Sequence, residues 1–353
     1  MAISYEYGAV SSCCCTIFND ISNTYQPPWF LHGADMAMGI EAKGLTRRFG
    51  SKPAVEDLTF DVNEGQVYGL LGPNGAGKTT TIRVLACLIA PTEGNARVAG
   101  YDVRKQSDKV RASVGLLTEN PGFYERLSAL ENLEFYAKAY GVGDSTKRNA
   151  RIKELLQLFD LWERRNEKVG VLSRGMKQKL AIVRAVSHDP SVLMLDEPTA
   201  TLDPNSSRLI KDLITEISRE EGHSVLLSTH RLEDAELLCS KVMVMNDGKK
   251  ISEGTPSSLK SRSSHSIAVE VTLLSVDEGL VERVKKMRGV TGVQPDYANR
   301  KVLVTVSDYE SDVPTIVRGV ALARGRILSV KRVEPSLEDV YLSIMKGEGL
   351  ENR

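Results

Sequence analysis

The chain has 353 residues, 41% of them hydrophobic and 26% charged. That length exceeds one comfortable single-core domain, and the composition is that of an ordinary globular chain, not a collagen-like, mucin-like or wholly disordered one. Lys+Arg and Asp+Glu both total 46, so the formal net charge is zero. A nucleic-acid binder usually carries a basic excess, and no nucleic-acid partner is expected here. No run of 18 apolar residues occurs, so action at a membrane would require a partner that holds the chain there. Cys13, Cys14 and Cys15 are consecutive, while Cys87 and Cys239 are solitary. This is no disulfide framework, and the expected state is reduced and cytosolic.

Residues 1–37 contain no Lys or Arg and include Pro27, Pro28 and Gly33. They lack the basic start of a secretory signal and read as a disordered extension. Regular patterning begins at Gly39. Alternating strands are expected at Ile40–Phe49 and Ala54–Val62, and an apolar strand at Gln66–Leu71. A helix opening at Lys78 carries Ile82, Leu85, Ala86 and Ile89 at helical spacing. Strand signals follow at Ala96–Val98 and Val114–Leu117, then a mostly helical stretch over 127–168. Ser173 opens another helix, with Leu180, Ile182, Val183 and Val186 inside it. Val192–Leu195 reads as a buried strand, and Leu209, Ile210, Leu213, Ile214 and Ile217 as an amphipathic helix. Further strands fall at Ser224–Ser228 and Val242–Asn246. Strands alternating with helices predict an α/β fold for 38–255, with a helical subdomain at about 122–186. Residues 256–265, rich in Ser, read as a linker. Residues 266–353 follow the order βαββαβ plus one helix, a small α+β ferredoxin-like module with Ser336 as the last helix's N-cap.

Residues 72–80 read GPNGAGKTT: Gly72, Pro73, Asn74, Gly75, Ala76, Gly77, Lys78, Thr79 and Thr80. This fits the phosphate-loop template G-x-x-x-x-G-K-[ST], between a strand and a helix as the template requires. Glycines allow backbone N–H groups to turn inward toward phosphate oxygens, and the helix adds the positive end of its dipole. Lys78 should reach the β- and γ-phosphates, and Thr79 should offer its hydroxyl to Mg²⁺. Residues 192–197 read VLMLDE. An apolar strand ending in Asp196 can place that carboxylate beside the metal, and Glu197 can polarise a water for attack on the γ-phosphate.

Three further strings narrow the class: LSRGMKQ at 172–178, PTATLD at 198–203 and STH at 228–230. With GPNGAGKTT they resemble the ATP-binding-cassette family of P-loop ATPases, over residues 39 to about 255. The resemblance implies that Ser173 and Gly175 belong to the signature that closes over ATP held by a partner subunit. It implies that Asp203 communicates across the dimer, that His230 is a switch histidine at the γ-phosphate, and that Phe49 stacks on adenine. Two departures stand out. Arg174, Gly175 and Met176 replace the usual Gly-Gly-Gln of the signature, and Glu119 stands where the metal-sensing loop usually has Gln. Glu119 could bind Mg²⁺ directly or through water. Both departures, with GFYERLSALENLEFYAKAYG (122–141) and SLEDVYL (336–342), resemble the drug-exporter-type subgroup. The resemblance implies ATP and Mg²⁺ as cofactors, a homodimer or a heterodimer with a similar ATPase, and an integral membrane permease that holds this chain peripherally at the cytoplasmic face of the cell membrane. The permease surface is expected near Glu119 and 122–165, which carries Phe123, Tyr124 and Phe135; a core role for these aromatics is an equal alternative to an interface role. The C-terminal module carries no chemical motif and could dimerise, regulate or merely cap. The alternative is a soluble cassette ATPase of DNA repair or translation, against which the neutral charge and the single cassette weigh.

Overall fold

The computed structural model describes residues 38–263, 267–333 and 336–346. The extension expected at 1–37, with its cysteine triplet, lies outside the described residues. In chain order the elements are β1 (Met38–Phe49), β2 (Lys52–Asn63), β3 (Val67–Leu71), α1 (Lys78–Leu85), β4 (Glu93–Val98), β5 (Tyr101–Asp102), α2 (Ser107–Ser113), β6 (Val114–Leu117), α3 (Ala129–Ala139) and α4 (Ser145–Leu158). There follow α5 (Arg174–Val186), β7 (Val192–Asp196), α6 (Pro204–Arg219), β8 (Ser224–Thr229), α7 (Leu232–Leu238), β9 (Lys241–Asn246), β10 (Lys249–Gly254) and α8 (Pro256–Ser263). The C-terminal part holds β11 (Ile267–Leu273), α9 (Glu278–Lys285), β12 (Val290–Asp296), β13 (Lys301–Val306), α10 (Tyr309–Leu322), β14 (Ile327–Val333) and α11 (Leu337–Lys346).

The central sheet runs β10-β9-β3-β8-β7-β6, parallel except for β10. Every residue of β3, β7 and β8 is buried, as strands covered on both faces must be. One face packs Leu70, Met194 and Leu226 into a core shared with Ile82 of α1 and with the antiparallel sheet β2-β1-β4-β5. The other face packs Leu71, Leu195 and Leu227 with Leu180 and Val183 of α5 and Ile210 and Ile214 of α6. The parallel register sets Asp196 opposite Ser228 and Leu71 opposite Thr229. The C-terminal ends of three strands therefore converge where the phosphate loop begins. Gly69 permits the close approach of α7: a Cβ there would lie 2.8 Å from Cys239 Sγ.

Residues 267–333 form a separate antiparallel sheet, β12-β13-β11-β14, with its own core of Val269, Val304, Leu280 and Ile316. This is the ferredoxin-like order expected from the sequence. α11 does not join that core. Leu337 and Val340 are buried in the cassette core, and the Leu337 N–H donates to Glu236 Oε2 of α7 at 3.4 Å. Ser336 caps α11 by accepting from the Asp339 N–H at 3.1 Å, as its sequence predicts.

The expected linker at 256–265 is corrected for residues 256–263. Pro256–Ser263 is α8; Thr255 Oγ1 accepts from the Ser258 N–H at 3.0 Å, and Leu259 is buried in the cassette core. Proline at a first helical turn and one anchoring leucine suffice to order a serine-rich segment. The helical stretch expected over 127–168 is also broken, between α3 and α4 and by a short 3-10 turn at Trp162–Arg164.

His188, just after α5, stacks on Tyr140 at 3.9 Å between ring centres and places Nε2 3.2 Å from the Val114 carbonyl. Burial pushes its imidazole down to about 4 from 6.5. Between those values the unfolded chain takes up a proton that the folded chain refuses, so this contribution is full above pH 6.5 and is lost as pH falls toward 4. The loss amounts to about 3 kcal/mol at most. Urea unfolding across this range should show the parent losing stability more steeply than His188→Phe; parallel curves would contradict the buried neutral imidazole.

Candidate functional site

The cleft begins where β3 runs into glycines. A Cβ on Gly72 would meet the Met245 carbonyl oxygen at 2.4 Å, and Gly77 takes φ 102° with the Ala54 carbonyl 2.5 Å from any added Cβ. These two contacts fix glycine at both glycine positions of the template. α1 then starts with no side chain capping its N–H groups. A helix end left open in this way is suited to an anion.

Lys78 folds back over the loop. Its Nζ donates to the Gly72 carbonyl at 2.6 Å and the Pro73 carbonyl at 3.1 Å, and the side chain is only 6% exposed. Burial holds its ammonium below the usual lysine range, against the pull of Glu197 and Asp196. Thr79 Oγ donates to Asp196 Oδ2 at 2.7 Å, and Ser228 Oγ donates to Asp196 Oδ1 at 2.6 Å. The buried Asp196 carboxylate thus joins α1, β7 and β8 at one point. Thr79, Asp196 and Glu119 all line the cleft, an oxygen-only donor set that suits Mg²⁺.

Glu197 lies one residue beyond the strand. Its backbone adopts φ 52°, a left-handed conformation uncommon for a residue with a side chain, and its N–H donates to the Ser228 carbonyl at 3.0 Å. This turn sends its carboxylate away from Asp196. Oε2 lies 2.8 Å from Nδ1 of His230, which is 57% exposed. An acid and an imidazole are thereby paired beside the phosphate loop and open to water.

Asn74, Gly75, Ala76, Thr80, Glu197 and His230 also line the cleft. Ser173, Gly175, Asp203 and Phe49 are not part of its wall. Ser173 caps α5, accepting from the Met176 N–H at 3.2 Å. Gly175 has space around it, the nearest atom to an added Cβ being 3.8 Å away. Asp203 caps α6 through the Ser206 N–H at 2.9 Å and the Ser206 hydroxyl, which together hold its carboxyl below the usual range. Phe49 is 52% exposed at the end of β1, with the Arg47 guanidinium 4.7 Å from its ring centre.

Several residues without an assigned role in the sequence reading complete the site. Arg174, Lys177 and Gln178 of α5 line the cleft, and Gln178 Nε2 donates to the Pro198 carbonyl at 3.3 Å. Thr199 Oγ donates to buried Asp234 Oδ2 at 2.7 Å, and Lys211 of α6 pairs with Asp234 Oδ1 at 2.6 Å. Asp234 thus ties the loop after Glu197 to the helix after His230. An acid in the first turn of a helix reads as ordinary dipole compensation, so the sequence carried no distinguishing signal.

Ser228→Ala should leave one oxygen of buried Asp196 without its donor. The cost should be about 1.5–3 kcal/mol, read as a lower urea midpoint at unchanged slope. An unchanged midpoint would contradict the clamp on Asp196.

The sequence profile of the family described as ABC transporter matches residues 55–200. The linearmycin resistance ATP-binding protein LnrL of Bacillus subtilis (strain 168) is 31% identical over 307 residues, covering 86% of this chain and 97% of that protein. The daunorubicin resistance ATP-binding protein DrrA3 of Streptomyces coeruleorubidus is 33% identical over 311 residues, covering 88% and 96%. A solved dimeric ATP-binding cassette, in a post-hydrolysis state bound to ADP and Pi, superposes with a TM-score of 0.57 at 26% identity, covering 61% of this chain and 98% of that one. Cassette geometry, open helix end and a likeness covering 86% of the chain agree: the chain belongs to the ABC transporter family, as an ATP-binding subunit with ATPase activity.

Proposed function

We propose that this ATPase powers export through a separate membrane-spanning permease, two subunits enclosing two ATP molecules with Mg²⁺ between them. The observation that carries the reading is the convergence of Lys78, Asp196, Glu197 and His230 on one cleft beside an uncapped helix end. Lys78 leaves its two loop carbonyls for phosphate oxygens, a lysine being a strong point charge for that task. The N–H groups of Gly75 to Thr80 surround the same phosphates. Thr79, Asp196 and Glu119 are the residues that would hold Mg²⁺, which neutralises charge on the β- and γ-phosphates when bound. Glu197 polarises the attacking water, and His230 orients the Glu197 carboxylate through Nδ1.

Ser173, Gly175 and Asp203 act across the dimer in this reading. The N-terminus of α5 that Ser173 caps closes over the partner's γ-phosphate, which explains their place off the cleft wall of a single subunit. The dimeric cassette bound to ADP and Pi supports such a pairing. Phe49 supplies an exposed ring for adenine. Export is favoured because LnrL and DrrA3 are resistance proteins over nearly their whole length. Among the described residues no helix is long and apolar enough to cross a membrane, so a permease would hold this subunit at the cytoplasmic face. The soluble DNA-repair or translation alternative draws no support from these relatives.

Residues 38–255 act as the motor and residues 266–353 as an accessory module. Its last helix rests on α7, the helix that follows His230, which favours a regulatory part over passive capping.

Glu197→Gln should bind ATP but hydrolyse it about 10²–10⁴-fold more slowly, the range for loss of a general base. With saturating ATP and Mg²⁺ it should accumulate as a dimer in light scattering. Normal turnover, or a persistent monomer, would contradict the shared-site reading.

A further inference from the structure

At the end of the central sheet away from the phosphate loop, two exposed carboxylates and a buried imidazole meet. Asp189 lies between α5 and β7, and Glu221 and His223 lie between α6 and β8. One ligand atom from each falls within 4.8 Å of the other two. His223 Nε2 stands 3.7 Å from Asp189 Oδ1 and 3.9 Å from Glu221 Oε2. These separations are too long for hydrogen bonds. They are close to the roughly 3.4 Å that separates two donors bound at about 2.1 Å to one tetrahedral ion.

The backbone is shaped to bring these groups together. Gly222 takes φ 75°, a turn glycine makes without strain, and it sets Glu221 and His223 side by side. Asp189 takes φ 55° just before Pro190. His223 is only 7% exposed, yet among the described residues its ring makes no hydrogen bond: Nδ1 is buried without a partner there, and Nε2 is aimed at the two carboxylates. Nδ1 has lost water without gaining a hydrogen bond, which is costly, and Nε2 has only the two longer carboxylate contacts.

The surroundings are rich in negative charge. Burial, reinforced by repulsion from Glu220 and Glu221, raises the Glu216 carboxyl above the usual range. Among the described residues Arg151 is the one cation lining this pocket; it pairs with Glu154 at 3.4 Å and offsets part of the rise at Glu216, so carboxylates still outnumber it. Excess carboxylate around the Nε2 edge of an imidazole favours a cation with affinity for nitrogen. Mg²⁺ and Ca²⁺ prefer oxygen alone, whereas one imidazole and two carboxylates suit Zn²⁺ and its neighbours.

We propose that Asp189, Glu221 and His223 form a site for one divalent ion of the Zn²⁺ class, with water completing the shell. This site is separate from the nucleotide cleft: the four residue steps of β7 from Val192 to Asp196 span about 13 Å of strand. The ion joins the segments leading into β7 and β8, next to the paired residues Val192 and Ser224. Those strands lead at their other ends to Asp196 and His230, so the ion staples the register on which the ATPase centre is built.

The test uses the full chain, freed of metal with a chelator and free of nucleotide, titrated with Zn²⁺ by calorimetry and with Co²⁺ by visible absorption. Circular dichroism verifies that each variant is folded. The parent should take up one more equivalent of Zn²⁺ than His223→Ala. Asp189→Asn and Glu221→Gln should bind that equivalent more weakly by at least the roughly 10–100-fold that loss of an outer-shell partner costs. Asp196→Asn should retain it, which separates this site from the nucleotide cleft. Equal uptake by the parent and His223→Ala would overturn the proposal. So would undiminished affinity in both carboxamide variants, and these two decide the matter if His223→Ala does not fold.

Discussion

A single buried carboxylate organises the centre of this protein. Asp196 accepts one hydroxyl from the helix that follows the phosphate loop and one from the neighbouring strand, through Thr79 and Ser228. Both partners are neutral, so the negative charge is held by hydrogen bonds and remains available to a cation. That arrangement needs strand register correct to one residue, because a slip would turn Ser228 to the opposite face of the sheet. The fully buried strands β3, β7 and β8 supply this register, and the surrounding core keeps it.

From this fixed point the chemistry moves outward. Glu197 is turned aside by a left-handed backbone and meets exposed His230, whose segment continues directly into α7. Asp234 joins that helix to Thr199 and Lys211, and α11 from the end of the chain packs on the same helix. The exposed histidine of the site is thus joined through a short helix to an element from the far end of the chain.

The sequence was most legible where physics leaves little choice. A short apolar run such as VLML, followed by two acids, fits a strand covered on both faces, and GPNGAGKTT carries glycines that the close contacts of Gly72 and Gly77 make obligatory. Segments with weak signals were misread or overlooked. Pro256–Ser263 became a helix because Leu259 found a core that serine content does not reveal. The polar strand β10 is held by pairing with β9 instead of by its own pattern. Asp234 and Ser228 act through neighbours distant in sequence, which local spacing cannot encode. Ser173, Asp203 and Phe49 match family motifs, yet in one chain they serve as helix caps or an exposed ring.

All of this turns on the phosphate loop gripping a nucleoside triphosphate with Lys78 at its base. Calorimetric titration of the parent and of Lys78→Ala with ATP and Mg²⁺ measures that grip directly. The parent should bind one ATP per chain and the variant should show no saturable heat. Equal affinity in both would mean that the loop does not hold the phosphates.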